Sequence, residues 1–266
     1  MKPANLTAII LCHQLDPLLR QAIESVRFCD QIILVDNSWG SKQISWSWLK
    51  NWTNPTQPII VRWSDKINDF SRVRNWAIKQ AKHDWILMID SDEQLADPQK
   101  AKLILTQIAS QQTKPAAYYL LRQDYYLKRP LSYGEAGQQN LIRFFHRQAG
   151  QFQRPVHEIF KPKTKVQTQQ LSLKIIHQAH PDLNQFLQAV NRYARLEAAN
   201  RSSSNQLKII FQLLLFPIAK FGVSYFFKLG LLDGWSGLSY ASMMSLHSAL
   251  VRIYQLENLT QNRGEA

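Results

Sequence analysis

Three acids fall together at Asp90, Asp92 and Glu93, directly after the apolar run Trp85-Ile86-Leu87-Met88-Ile89. Carboxylates crowded at a strand end repel one another. A hard divalent cation relieves that repulsion, and Mg2+ or Mn2+ prefers carboxylate and phosphate oxygens. In an Asp-x-Asp pair at such a place the two acids can divide the work. Asp92 is assigned to the metal, and Asp90 with Ser91 to the sugar or ribose side of a nucleotide ligand. The cation would then neutralise a departing diphosphate. Glu93 is either a neighbour of the metal site or an acid at the start of the next element.

Other residues fit around this pair. Asp36 ends a second apolar run, Ile32-Ile33-Leu34-Val35, where a carboxylate can accept hydrogen bonds from a base or ribose, or can cap a turn. Asp69-Phe70-Ser71-Arg72-Val73-Arg74-Asn75 opens a helix. A guanidinium at Arg74, beside backbone N–H groups of a helix start, suits a diphosphate, and Asp69 is counted with it on the nucleotide side. Glu158, in Val156-His157-Glu158, is the candidate general base, since transfer to a hydroxyl needs one carboxylate to take its proton. His157 is a candidate metal or phosphate ligand. His146, His177 and His180 make no zinc pattern, and His177 and His180 are read as structural or acceptor-side residues. No P-loop, Gly-x-Gly-x-x-Gly or Gly-x-Ser-x-Gly occurs, which argues against kinase-like, NAD-binding and esterase chemistry.

These residues need a frame to hold them. Apolar runs at 6–11, 32–35, 58–63 and 85–89 read as strands, and residues 15–28, 43–52 and 69–82 between them as helices. That alternation predicts an α/β fold with a mostly parallel sheet. Ligands bind such sheets beyond the carboxyl ends of the strands. Polar residues sit at three of those ends: Cys12-His13-Gln14, Asp36-Asn37-Ser38 and Asp90-Ser91-Asp92. Further on, 98–111 reads as a helix, 116–128, 141–146 and 171–177 as strands, and 182–200 as a helix. Residues 207–232 are strongly apolar.

Composition sets the outer bounds. The 266 residues are 45% hydrophobic and include eight Trp, enough for one large domain with an appendage. Cys12 and Cys29 are the two cysteines and make no disulfide framework, which fits a cytoplasmic chain. No signal-peptide pattern opens the sequence. The net charge is +13, of which residues 114–200 supply 13 Lys and Arg against 5 Asp and Glu. Such a surface suits an anionic partner, but no nucleic-acid motif accompanies it, so nucleic acid is not expected.

In this order the motifs resemble glycosyltransferase family 2, the inverting enzymes of GT-A fold, in a branch near the lipopolysaccharide-core β-glucosyltransferases. The resemblance is carried by residues 32–36, 69–75 and 84–93, by Arg143-Phe144-Phe145 with Arg147, and by Val156-His157-Glu158 and Asp233-Gly234. It implies a Rossmann-like sheet flanked by helices, a nucleotide-sugar donor of the UDP type and a divalent metal. It also implies that Asp36 contacts base or ribose, Arg74 supports the nucleotide, Asp90 and Asp92 form the Asp-x-Asp pair, and Glu158 is the base. Branch members often carry Lys-Asn-Glu after the first strand. This chain has Cys12-His13-Gln14, so Cys12 and an uncharged Gln14 stand at that edge of the nucleotide pocket.

The expected division is a catalytic domain over 1–204, with a nucleotide-binding half (1–113) and an acceptor-side half (114–204), followed by a helical C-terminal segment over 205–266. Residues 209–219 are too short a run to span a bilayer, which takes roughly 20 residues. Amphipathic helices lying on the inner face of the plasma membrane are expected instead, with Lys208, Lys220 and Lys228 reaching headgroups. Packing on a second subunit is the other outcome. The acceptor would be a lipid-linked or cell-envelope glycan. A nucleotidyltransferase on a related sheet, or a non-catalytic relative on the membrane, are the alternative readings.

Overall fold

The computed structural model describes residues 5–12, 18–38, 44–52, 58–64, 69–112, 114–154, 158–180, 182–201 and 205–264. In chain order these form β1 (Leu6–Cys12), α1 (Leu19–Ser25), β2 (Gln31–Asp36), a 3-10 turn (Ser47–Asn51), β3 (Ile59–Arg62), α2 (Phe70–Gln80), β4 (Trp85–Asp90), β5 (Glu93–Leu95) and α3 (Pro98–Gln111). They continue as β6 (Ala116–Tyr126), β7 (Arg129–Pro130), β8 (Gln139–His146), β9 (Gly150–Gln153), β10 (Ile159–Pro162) and β11 (Gln167–His180). Three long helices close the chain: α4 (Leu183–Asn200), α5 (Gln206–Gly222) and α6 (Gly234–Gly264).

The fold class is the one the alternation implied. The main sheet runs β3-β2-β1-β4-β8-β6-β11-β5, with β7 on the end of β6. β3, β2, β1 and β4 are mutually parallel, while β8 runs antiparallel to both β4 and β6. Strands buried on both faces read as continuous apolar runs rather than alternating ones. Alternation returns in where each side chain points. On β1, Leu6, Ala8, Ile10 and Cys12 join one core cluster with Leu19, Ile23, Ala101 and Leu105 of α1 and α3. Ile9 and Leu11 join the other, with Val73 and Ala77 of α2 and Phe152 and Phe160 of the β9–β10 hairpin. Helices α1 and α3 therefore cover one face, and α2 with the β9–β10 hairpin covers the other.

Register brings those ends level. Cys12 lies opposite Asp36, Asp36 opposite Arg62, and Leu11 opposite Asp90. Chain direction across the sheet reverses between β1 and β4, the switch point where open α/β sheets bind ligands.

Several elements went beyond the sequence reading. The β9–β10 hairpin was not foreseen, because each of its four-residue strands carries a single buried aromatic, Phe152 or Phe160. At Gly150 a Cβ would lie 2.3 Å from the Lys161 carbonyl oxygen, so the two strands close only on a glycine. Helix α1 is shorter than residues 15–28, of which 15–17 lie outside the described residues, and the Trp-rich stretch is a 3-10 turn. At the expected boundary between the catalytic domain and the C-terminal segment, residues 202–204 also lie outside them.

Contacts divide the chain into two compact units: residues 1–122 with 139–177, and residues 123–138 with 178–266. Helix α4, placed by composition with the first segment, falls in the second. The second unit has its own core, where Tyr126, Phe186 and Tyr240 stack. Lys220 and Lys228, expected to reach lipid headgroups, instead turn to Glu135 Oε1 at 2.7 and 3.5 Å.

Phe145 is fully buried and stacks on Phe160 with ring centroids 4.2 Å apart. Phe145→Ala should cost about 3–5 kcal/mol by cavity formation, read as a lowered midpoint in urea unfolding.

Candidate active site

Asp90 is the last residue of β4, and three elements converge on it. From α2, Arg74 Nη2 reaches Asp90 Oδ1 at 2.8 Å. From β8, Arg143 Nη2 reaches Asp90 Oδ2 at 2.9 Å and Glu93 Oε1 at 2.6 Å. Glu93 Oε2 accepts the Asp90 backbone N–H at 3.1 Å, which locks the turn between β4 and β5. Arg74 goes on to Glu158 Oε1, donating from Nε at 2.7 Å and lying at 2.7 Å through Nη2. The result is a row of alternating charge: Glu158, Arg74, Asp90, Arg143, Glu93. Arg122 Nη1 stands 3.8 Å from Glu93 at its far end.

Burial makes these contacts matter. Arg74 and Arg143 expose only 7% and 6% of their side chains and Glu93 none, so little water screens them. Burial would raise the Asp90 pKa, but the charges and hydrogen bonds of Arg74 and Arg143 outweigh it and hold that carboxyl well below the usual range. Burial also dominates at Glu93, where Arg143 opposes it and Asp90 adds to it, and the pKa rises. Arg143 moves up: burial favours its neutral form, but Glu93 and Asp90 more than compensate. Arg74 Nη1 has no hydrogen-bond partner among the described residues, although it is buried. An orphaned guanidinium N–H of this kind is a ready donor to a phosphate oxygen.

Asp92 stands apart from this row. Its Oδ2 faces His177 Nε2 at 3.3 Å. β5 pairs antiparallel with β11, and the pairing of Glu93 with His177 delivers the ring. Burial would raise the Asp92 pKa and the Asp90 charge works the same way, but the hydrogen bond and charge of His177 prevail and lower it. Among the described residues no group of three His, Cys, Asp or Glu side chains is disposed to hold a metal. A two-residue set still fits a cation bound jointly with a ligand.

The remaining candidates are placed as follows. Asp36 is buried, and its four lone-pair positions are taken: Ser38 N–H and Oγ on Oδ1, Trp46 Nε1 (2.9 Å) and Arg62 Nη2 (3.2 Å) on Oδ2. Against its burial, these donors lower its pKa. Asp69 is the N-cap of α2, accepting from Ser71 N–H (2.8 Å) and Arg72 N–H (3.2 Å), so it fixes the helix that carries Arg74. Ser91 is buried with its N–H on the Leu11 carbonyl, and the Cys12 thiol donates to Ile10 O. Gln14 and His157 lie outside the described residues. Next to Arg74, Asn75 donates to the Phe152 carbonyl (2.8 Å) and accepts its N–H (2.9 Å), tying β9 to α2. Arg147 caps the far end of α2 through the Ile78 and Ala81 carbonyls.

His177 and Arg143 are the residues whose part the sequence reading missed. Both left a signal. Leu171, Leu173 and Ile175 are buried at alternate positions of β11, and His177 is the next in that phase. Arg143 precedes Phe144 and Phe145, both fully buried, and a lone Arg in such a strand needs a buried counter-charge.

Comparison with known proteins agrees with this frame. The sequence model described as "Glycosyl transferase family 2" matches residues 7–162. The chain is 22% identical over 255 residues to the lipopolysaccharide core biosynthesis glycosyltransferase LpsC of Rhizobium meliloti (strain 1021), covering 94% of this chain and 92% of LpsC. Among solved structures it is similar to S. aureus TarS 1–349 in complex with UDP, at 12% identity and TM-score 0.43, covering 98% of this chain and 92% of that one. A second is GalNAc-T7 with UDP, GalNAc and Mn2+, at 13% identity and TM-score 0.37, covering 55% and 25%.

The lowered pKa of Asp90 gives its charge a pH signature. The stability it contributes is present above the ordinary Asp pKa of about 3.9 and is lost as pH falls toward the folded-state value. Asp90→Asn should therefore cost about 1–3 kcal/mol at neutral pH, because two buried arginines each lose one charged partner while keeping Glu158 and Glu93. Its unfolding free energy should also fall less steeply than that of the wild type below about pH 4, as measured by chemical denaturation across a pH series.

Proposed function

The chain belongs to glycosyl transferase family 2, and we propose that it moves a sugar, with inversion, from a UDP-sugar to a lipid-linked or cell-envelope glycan at the inner face of the plasma membrane. The observation that carries this reading is the bridge from Glu158 through Arg74 to Asp90 at the carboxyl end of β4. In this reading it supplies a carboxylate base and an acid-braced guanidinium at the strand end that also carries Asp92. The envelope acceptor is supported by the role of LpsC in lipopolysaccharide core biosynthesis, and the UDP donor by the family resemblance.

In this reading Arg74 orients Glu158. Both Arg74 contacts fall on Oε1, which leaves Oε2 to receive the proton of the acceptor hydroxyl. The hydroxyl oxygen attacks the anomeric carbon from the face opposite the diphosphate. The bond from that carbon to the diphosphate oxygen breaks, and its electron pair leaves with the phosphate. Arg74 Nη1 is the donor for that oxygen charge. A divalent cation held by Asp92 and His177 would supply further neutralisation of the leaving group. On the nucleotide side, Arg62 is the exchangeable partner of Asp36: its side chain is 54% exposed, so a base or ribose hydroxyl can take its place.

The test is donor hydrolysis and transfer with a panel of UDP-sugars, with Mn2+ or EDTA. Glu158→Gln should keep UDP binding by calorimetry and lose about 10²–10⁴-fold in transfer. Asp92→Ala and His177→Ala should lose metal-dependent activity while keeping the fold. Undiminished activity of both variants in EDTA would remove the metal from this reading, and undiminished transfer by Glu158→Gln would remove the base. Pyrophosphate release from UTP and a sugar phosphate would instead mark a nucleotidyltransferase.

A further inference from the structure

The second compact unit carries an apolar surface that its own fold leaves uncovered. Gln206–Phe227 is a 22-residue helical segment, by length and composition long and apolar enough to cross a membrane where the sequence reading saw too short a run, yet little of it is buried. One side of α5 is satisfied: Ile209 is fully buried, Ser245 Oγ of α6 donates to the Pro217 carbonyl, and Arg252 of α6 lies over the Phe216 ring. The other side presents Leu207, Phe211, Leu214 and Ile218, at helical spacing, to solvent. The surface continues around the turn into α6 through Phe226, Phe227, Leu229, Leu231, Leu232 and Trp235, with Phe227 84% exposed. Soluble chains rarely leave so contiguous an apolar patch without a partner.

The turn is built to push these side chains outward. A Cβ on Gly237 would meet the Gly230 carbonyl oxygen at 1.8 Å, and one on Gly230 would meet the Ser224 carbonyl oxygen at 2.7 Å. The backbone thus packs on itself and leaves the large side chains no inward course.

Charge indicates the partner. From residue 198 through residue 232 the sequence has no acid, against Arg201, Lys208, Lys220 and Lys228. Of the two acids packed at this turn, Glu135 is ion-paired within the unit and Asp233 is hydrogen-bonded by backbone. Asp233 accepts the N–H groups of Ser132 and Tyr133 at 2.9–3.1 Å, and Glu135 holds Lys220 and Lys228. Arg129 lies over the Trp235 ring, so a cation and an amphipathic aromatic stand together. Exposed aromatics beside cations match the boundary between acyl chains and anionic headgroups.

We propose that this hairpin turn and the outer side of α5 insert into the interface of an anionic lipid bilayer. The segment lies on the bilayer and does not cross it. Its inner side is fixed to α6, which carries Arg252 and packs in turn on α4 through Val251, Ala194 and Ala198. This deepens the envelope reading by naming the lipid-contacting surface, but its test needs no donor.

The experiment is flotation of the full chain with vesicles of phosphatidylcholine alone, or with about one part in three phosphatidylglycerol. Binding should be several-fold stronger on the anionic vesicles. The double variant Phe227→Ser/Trp235→Ser should bind at least about tenfold more weakly, with circular dichroism and donor hydrolysis in solution unchanged. Two results would overturn the proposal: no vesicle binding by the folded wild type, or equal binding by wild type and variant. A dimer in sedimentation that the double variant dissociates, without vesicle binding, would assign the surface to a second copy of the chain. Vesicle binding by a chain that hydrolyses no donor would sustain this inference and sink the proposed activity instead.

Discussion

Arg143, a cation almost wholly removed from water, is held between Asp90 and Glu93, and the acidic end of β4 depends on it. Without the guanidinium, two carboxylates and the neighbouring Asp92 would share one strand end. With it, Asp90 is pinned on one oxygen by β8 and on the other by α2. Its backbone N–H is held by Glu93 at the same time. The cost of burying these groups is offset only because each has a charged partner at hydrogen-bond distance. The arrangement fixes where Asp90 can stand and leaves Asp92, one residue beyond Ser91, to face His177 alone.

The sequence reading divided the labour of the two acids, and the structure gives them different neighbours. Asp90 is braced by Arg74 and Arg143, and Arg74 also holds Glu158. Asp92 has the imidazole of His177 as its neighbour. Glu93, unassigned by sequence, is the innermost member of the row and the reason the turn after β4 has its shape. Glu158 comes from a segment far along the chain and meets α2 only because Asp69 starts that helix and Arg147 ends it.

Much of this frame was legible beforehand, for identifiable reasons. Strands buried on both faces announce themselves as apolar runs, so β1, β2 and β4 were read nearly to the residue. The helices α2, α3 and α4 begin at Asp69, Asp97 and Asp182, whose side chains cap them. What escaped were elements stabilised by partners rather than by their own pattern. The β9–β10 hairpin rests on single aromatics inserted between α2 and the sheet. His177 is brought to Asp92 by antiparallel pairing of β5 with β11, and register between strands more than 80 residues apart is not written in either strand alone. The lysines of the C-terminal segment were assigned outward on charge, but Glu135, distant in sequence, takes two of them.

Two adjacent residues of α2 hold both ends of one stretch of chain. Asn75 grips the backbone at Phe152 and Arg74 grips the side chain at Glu158. Helix α2 thus sets the address of the Glu158 carboxylate and of the β9–β10 hairpin together, so a shift of that one helix would carry both with it.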